Sequence, residues 1–172
     1  MRMSMVCLIL FLLAAPAAAQ LRPDDGVNRV VAQVTEAWFD QLPKADFATE
    51  RAFFAPSLAG QVSKTEWSAL RQQMIDRIGG ATPRYRAHAL SYYPRETLYA
   101  AVDFSARTEP AGVAVCGYVV WSLPDASTIG LIRMEENIVD PAIFQKMPAA
   151  DARKLLAEWR CPAPLIQEIL TP

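Results

Sequence analysis

Residues 98–123 decide the fold: LYAAVDFSA (98–106), the turn-like RTEPAG (107–112), then VAVCGYVVWSL (113–123). Both arms are rich in β-branched and aromatic residues, and Pro110 and Gly112 punctuate the gap, which is the pattern of a β-hairpin with a moderate loop. On the first arm Leu98, Ala100, Val102, Phe104 and Ala106 share one face, and Tyr99, Asp103, Ser105 and Arg107 the other. That arm therefore buries one side. The second arm is apolar on both faces, as a central strand covered on both sides would be.

Working outward, Arg84–Tyr93 and Thr128–Ile138 read as flanking strands, separated from the hairpin by Pro94-Arg-Glu96 and Pro124-Asp-Ala-Ser127. Helices precede the strands. Val27, Val30, Val31, Val34, Trp38 and Leu42 draw one apolar stripe that Pro43 stops, and Ala45–Phe54 reads as a second short helix ended by Pro56. Ser63-Lys-Thr-Glu66 has capping-box spacing ahead of Trp67, Leu70, Met74 and Ile78, and Gly79-Gly80 with Pro83 closes that helix. Helices followed by antiparallel strands imply an α+β domain, with helices packed on a curved sheet of about four strands. Trp38, Trp67, Phe104 and Trp121 are the expected core anchors. Beyond Asp140 a helical extension (141–172) carries Ala152, Leu155, Leu156 and Trp159 at helical spacing. It is expected to cover the sheet face that the first helices leave open.

The chain has 172 residues and a formal net charge of −1. It opens with a basic Arg2, an uncharged run from Met5 to Ala15, and Pro16-Ala-Ala-Ala19. This is the pattern of a secretory signal peptide over 1–19, cleaved after Ala19, and the run is too short for a membrane span of about 20 residues. Residues 20–26 read as a flexible leader and 27–140 as the main domain. Such a mature chain is exported, periplasmic or extracellular, with no transmembrane segment, and its charge shifts to −2 with the loss of Arg2. No basic stripe is present, which disfavours nucleic acid as a partner. With Cys7 in the signal, Cys116 and Cys161 remain, most simply joined as one disulfide in an oxidising compartment.

With these elements in place the chain resembles the cystatin-like, nuclear transport factor two-like roll. More narrowly it resembles an uncharacterised family of small exported bacterial proteins of unknown function. The likeness is carried by Ala37-Trp38 with Asp46-Phe47, Val62-Ser-Lys-Thr-Glu-Trp67, Arg77-Ile-Gly79 and Leu98-Tyr-Ala-Ala-Val-Asp-Phe104. The chain departs from the pattern at Gly130-Leu-Ile-Arg-Met134 and in its added tail. The resemblance implies a fold and an exported setting, and no reaction.

Chemical signatures are absent: no P-loop, no Gly-x-Ser-x-Gly, no His-Glu-x-x-His, no Cys-x-x-Cys and no dinucleotide fingerprint. A single histidine, His88, and distant cysteines give no expected metal site or cofactor. The sharpest catalytic hypothesis is proton transfer inside the roll by Asp103, Tyr99 and His88, with Arg133 and Glu135 on the last strand. The plainer expectation is that these are ordinary strand residues, with strand register deciding which face they take. Likewise Trp67 is expected in the core, and Arg71, Arg77, Arg84 and Arg86 on a solvated face, although together they would also suit a carboxylate. Three function classes follow: a non-catalytic exported envelope domain binding a small ligand or partner protein, which is preferred; a proton-transfer or hydrolytic enzyme; and a structural or assembly module. A pocket on the concave side holding Asp103 would favour the second, and a sealed core would oppose it.

Overall fold

The computed structural model describes residues 23–109, 112–125 and 127–171; the signal peptide read over 1–19 lies outside them. Helix α1 spans Asp25–Gln41 and starts two residues earlier than its apolar stripe, because Asp24 caps it by accepting the Val27 amide at 2.8 Å. A 3₁₀ turn at Leu42–Lys44 holds Pro43. The second helix is shorter than its sequence pattern: α2 is Phe47–Arg51, and Pro56 opens a further helix, α3 (Pro56–Gln61), in place of a plain stop. Proline at a helix's first position lacks only an amide that would be unpaired there anyway.

Helix α4 (Lys64–Arg77) carries the full capping box. Ser63 Oγ accepts the Glu66 amide at 3.2 Å and Glu66 Oε2 accepts the Ser63 amide at 2.8 Å. Its far end is a Schellman turn with Gly79 at φ +70°, bonding Gly80 N to Ile75 O at 2.9 Å. The buried stripe differs from the apolar spacing. Trp67, Arg71, Met74 and Ile78 face inward, Arg71 being only 3% exposed, whereas Leu70 is 54% exposed.

Strands β1 (Thr82–Pro94), β2 (Leu98–Glu109), β3 (Ala114–Leu123) and β4 (Gly130–Val139) form one antiparallel meander in the order β1-β2-β3-β4. Helices α1–α4 lie on one face, where Trp38 touches the rings of Phe53, Phe54, Trp67 and Trp121 at centroid distances of 5.4–6.5 Å. Trp121 donates its indole N–H to the buried Thr35 hydroxyl at 2.9 Å. Phe53 and Ala55 clasp the outer edge of β4 through both backbone groups of Leu131 (2.7 and 2.9 Å). The approach is close enough that a Cβ on Gly130 would sit 2.7 Å from the Ala55 Cα.

The opposite face is covered at one end by α5 (Pro141–Phe144), α6 (Ala149–Glu158) and α7 (Ala163–Leu170). Their Phe144, Ala152, Leu156, Leu165, Ile166 and Ile169 pack on Ala114, Cys116 and Val139 as a second core. A disulfide joins Cys116 of β3 to Cys161, three residues after α6, with the α-carbons 5.1 Å apart. Among the described residues no helix is long and apolar enough to cross a membrane.

Candidate functional site

The register places the polar residues in two groups, one on each face of the sheet. On the helix side a buried network joins four elements. Arg71 of α4 is ion-paired through Nη1 to Glu136 of β4 and through Nε to Glu50 of α2, the latter at 3.3 Å. Trp67 donates its indole N–H to Glu50 Oε2 at 2.7 Å, and Tyr85 of β1 donates its hydroxyl to Glu136 Oε1 at 2.6 Å. Burial and the neighbouring Glu136 carboxylate push the Tyr85 phenol well above its ordinary range, which keeps it a donor. Burial also raises Glu50, against the pull of Arg71 and the Trp67 hydrogen bond.

A cavity of about 230 Å³ opens beside this network, between Trp67, Arg71, Met74, Met134 and Glu136. Both oxygens of Glu136 accept bonds, and Glu50 is wholly enclosed, with its Oε1 lacking a hydrogen-bond partner among the described residues. The network fastens α2 and α4 to the two edge strands.

The residues picked out from sequence as a catalytic set lie on the other face. Asp103 is directed away from the roll's interior. It pairs in register with Tyr118, and Tyr118 with Glu135. Arg160 reaches Asp103 Oδ1 at 2.6 Å and lies 4.7 Å over the Tyr118 ring. Tyr118 donates to Glu135 at 3.0 Å, and Arg133 pairs with the same carboxylate at 3.0 Å. Burial raises the Asp103 carboxyl despite Arg160 and His88.

A β-bulge between Ala87 and Ala89 leaves His88 without a ladder partner, and its ring Nε2 lies 2.7 Å from Ser105 Oγ. Burial, then Arg86, lowers the His88 pKa, so the ring is neutral at neutral pH. Tyr99 does not join this group, since it pairs with Tyr93 and Ser122 farther along the sheet. The interior proton-transfer site considered from sequence is thus not assembled, because alternation sends Asp103 and Phe104 to opposite faces.

What the second face does build is a groove of about 560 Å³ between β1, β2 and α7. Arg84, Arg86, His88 and Ser105 line its sheet side, with Leu165 and Glu168 on the α7 side. Arg107, the direct cross-strand partner of Arg84, also lines it and is ion-paired to Glu168. Among the described residues no group of three or more His, Cys, Asp or Glu side chains is placed to hold a metal ion.

Sequence reasoning passes over Glu50, Glu136, Ser105 and Arg160, and puts Arg71 on the wrong side of its helix. For Arg71 the signal is present: Trp67, Arg71, Met74 and Ile78 fall at i, i+4, i+7 and i+11, a straighter stripe than one through Leu70. For Arg160 and Ser105 there is none, because their partners come from distant strands.

No family model matches the sequence, and no curated protein matches it. Among solved structures, Aln2 from a Streptomyces species aligns with 70% of this chain and 95% of its own, at 14% identity and a TM-score of 0.46. A protein of unknown function with cystatin-like fold from Methylobium petroleophilum aligns with 68% of this chain and 88% of its own, at 17% identity and a TM-score of 0.38. At these values neither likeness bears on what the protein does, and the α+β architecture stands on the strands and helices described above.

Proposed function

We propose that the protein is a non-catalytic exported envelope domain that binds a small ligand, and that its binding surface is the groove between β1, β2 and α7. The observation that carries this reading is the contrast between the two faces. The concave side is filled by Trp38, Phe104 and Trp121 and by carboxylates whose oxygens are tied down or enclosed. The outer groove is of ordinary ligand size, with several polar groups lining it beside Pro164 and Leu165. Export rests on the signal-like start of the chain, and a disulfide in so small a domain fits an oxidising compartment.

One observation favours a hydrolytic reading instead: the Ser105 hydroxyl beside His88 Nε2. A nucleophile of this kind needs its histidine oriented by a third group. Here the nearby carboxylate, Asp103, is ion-paired to Arg160, and among the described residues no hydrogen bond links it to His88.

A screen of mixed neutral, anionic and cationic fragments by amide chemical shifts tests the binding reading. Shifts gathered on Arg84, Arg86, Ser105 and Leu165 support it. Shifts gathered only around Met74 and Met134, or nowhere, overturn it. Cleavage of a p-nitrophenyl ester that Ser105→Ala abolishes would favour the enzyme.

A further inference from the structure

The groove holds more positive charge than its surroundings neutralise, in a chain of net charge −1. Arg84 and Arg107 are directly opposed on one face of the sheet, a placement in which like charges repel. Glu168 answers Arg107. Among the described residues no hydrogen bond or ion pair answers Arg84 or Arg86, and both are exposed. The α7 wall carries the exposed Pro164, the edge of the buried Leu165 and the Glu168 carboxylate that Arg107 holds, and Ser105 adds a hydroxyl on the sheet side.

We infer that the groove selects a small organic oxyanion, a carboxylate or phosphate on an apolar body. The head is held by Arg84 and Arg86, and the body lies along the exposed Pro164 at the start of α7. This inference rests on the binding reading above and adds the ligand's charge to it. A guanidinium matches an oxyanion with paired hydrogen bonds, and two of them without an anionic partner among the described residues lie two residues apart on this strand face.

Four probes with one chain length separate charge from apolarity: octanoate, octyl phosphate, octanol and octylammonium. In titrations of the full protein followed by amide shifts, octanoate or octyl phosphate is expected to saturate with shifts at Ser105 and Leu165, and octylammonium to leave them unmoved. The Arg84→Gln/Arg86→Gln double variant is expected to weaken anion binding by roughly tenfold or more, as loss of charge-assisted hydrogen bonds implies. Both arginines are exposed, so the fold should survive. Should it not, added sodium chloride supplies the same test on the unaltered protein, where anion binding must weaken.

Undiminished anion binding by a folded double variant, or salt-insensitive binding, overturns the inference. If all four probes shift the groove amides with similar affinity, charge selection falls while the binding reading stands. If none does, both fall.

Discussion

Arg160 occupies a backbone position that side chains rarely take. At φ +58° it sits at the left-handed position of a Schellman turn closing α6, with Arg160 N bonded to Ala157 O and Cys161 N to Leu156 O, both at 2.9 Å. Helix α4 fills the equivalent place with Gly79. A non-glycine there costs about 1–2 kcal/mol, and what the arginine gains is its seat between Asp103 and the Tyr118 ring. Arg160→Gly should therefore be more stable than Arg160→Ala by about 1 kcal/mol, the glycine relieving strain that alanine retains; equal denaturation midpoints would remove that account. Both variants should raise the Asp103 pKa, read from its side-chain carbon shift, since the cation that opposes burial is gone.

Glu50 gives a second test at this scale. A carboxyl raised on folding binds its proton more tightly in the native state, so stability falls as pH climbs from the unfolded-state value through the higher folded one. Glu50→Gln deletes that slope. In urea denaturation from roughly pH 4 to pH 8, the wild-type protein should lose ground to the variant as pH rises, and the opposite trend would reverse the assignment. Arg71→Met should be the harmful change in this network. It leaves the buried Glu50 and the half-buried Glu136 without their cation, a loss of about 3–5 kcal/mol for a broken buried pair.

Among the elements, α4 links the two kinds of stabilisation. Its start is fixed locally by Ser63 and Glu66, and its inner face by contacts far away in the chain. Ser63→Ala removes one cap and should cost about 0.5–2 kcal/mol. Trp67→Ala should cost about 3–5 kcal/mol, since it empties the space against Trp38 and Phe54 and takes the indole donor from Glu50. Denaturation midpoints that ranked the cap variant as the worse would displace Trp67 from that role. The bulge in β1 belongs to this scale too. It leaves His88 unpaired between Ala87 and Ala89 and shifts the ladder by one residue beyond it, so that Asp103 pairs with Ala89, which is how an edge strand re-aims one side chain.

For the molecule as a whole, the tail matters twice, once as cover for the sheet and once as a wall of the groove. The disulfide closes a 45-residue separation, which in the chain-entropy picture is worth about 4 kcal/mol. Cys161→Ser should lower stability by an amount of that order. It should also raise hydrogen exchange in α6 and α7 before β2 and β3, whose opposite face is held by α1–α4. Uniform exchange across tail and sheet would mean that the tail docks without the bond. The proposed export predicts a mature protein beginning at Gln20. N-terminal sequencing from the envelope fraction checks it, and a retained Met1 would contradict it.

What was legible in the sequence was local. The capping box, the glycine exit of α4, the strand alternation around Asp103 and the proline-bounded turns each depend on residues within a few positions of one another, and backbone sterics and hydrogen bonding act at that range. The same alternation put Phe104 in the core, with Asp103 on the reverse face. Tertiary structure alone decided which polar groups meet. Glu50, Arg71, Tyr85 and Glu136 converge from four elements, and their burial is tolerable only because each finds a partner there, which no single segment reveals. The groove likewise exists only once α7 is laid against β1 and β2. Its arginines look like a solvated face in the chain, and only the cross-strand pairing of Arg84 with Arg107 brings them together beside α7.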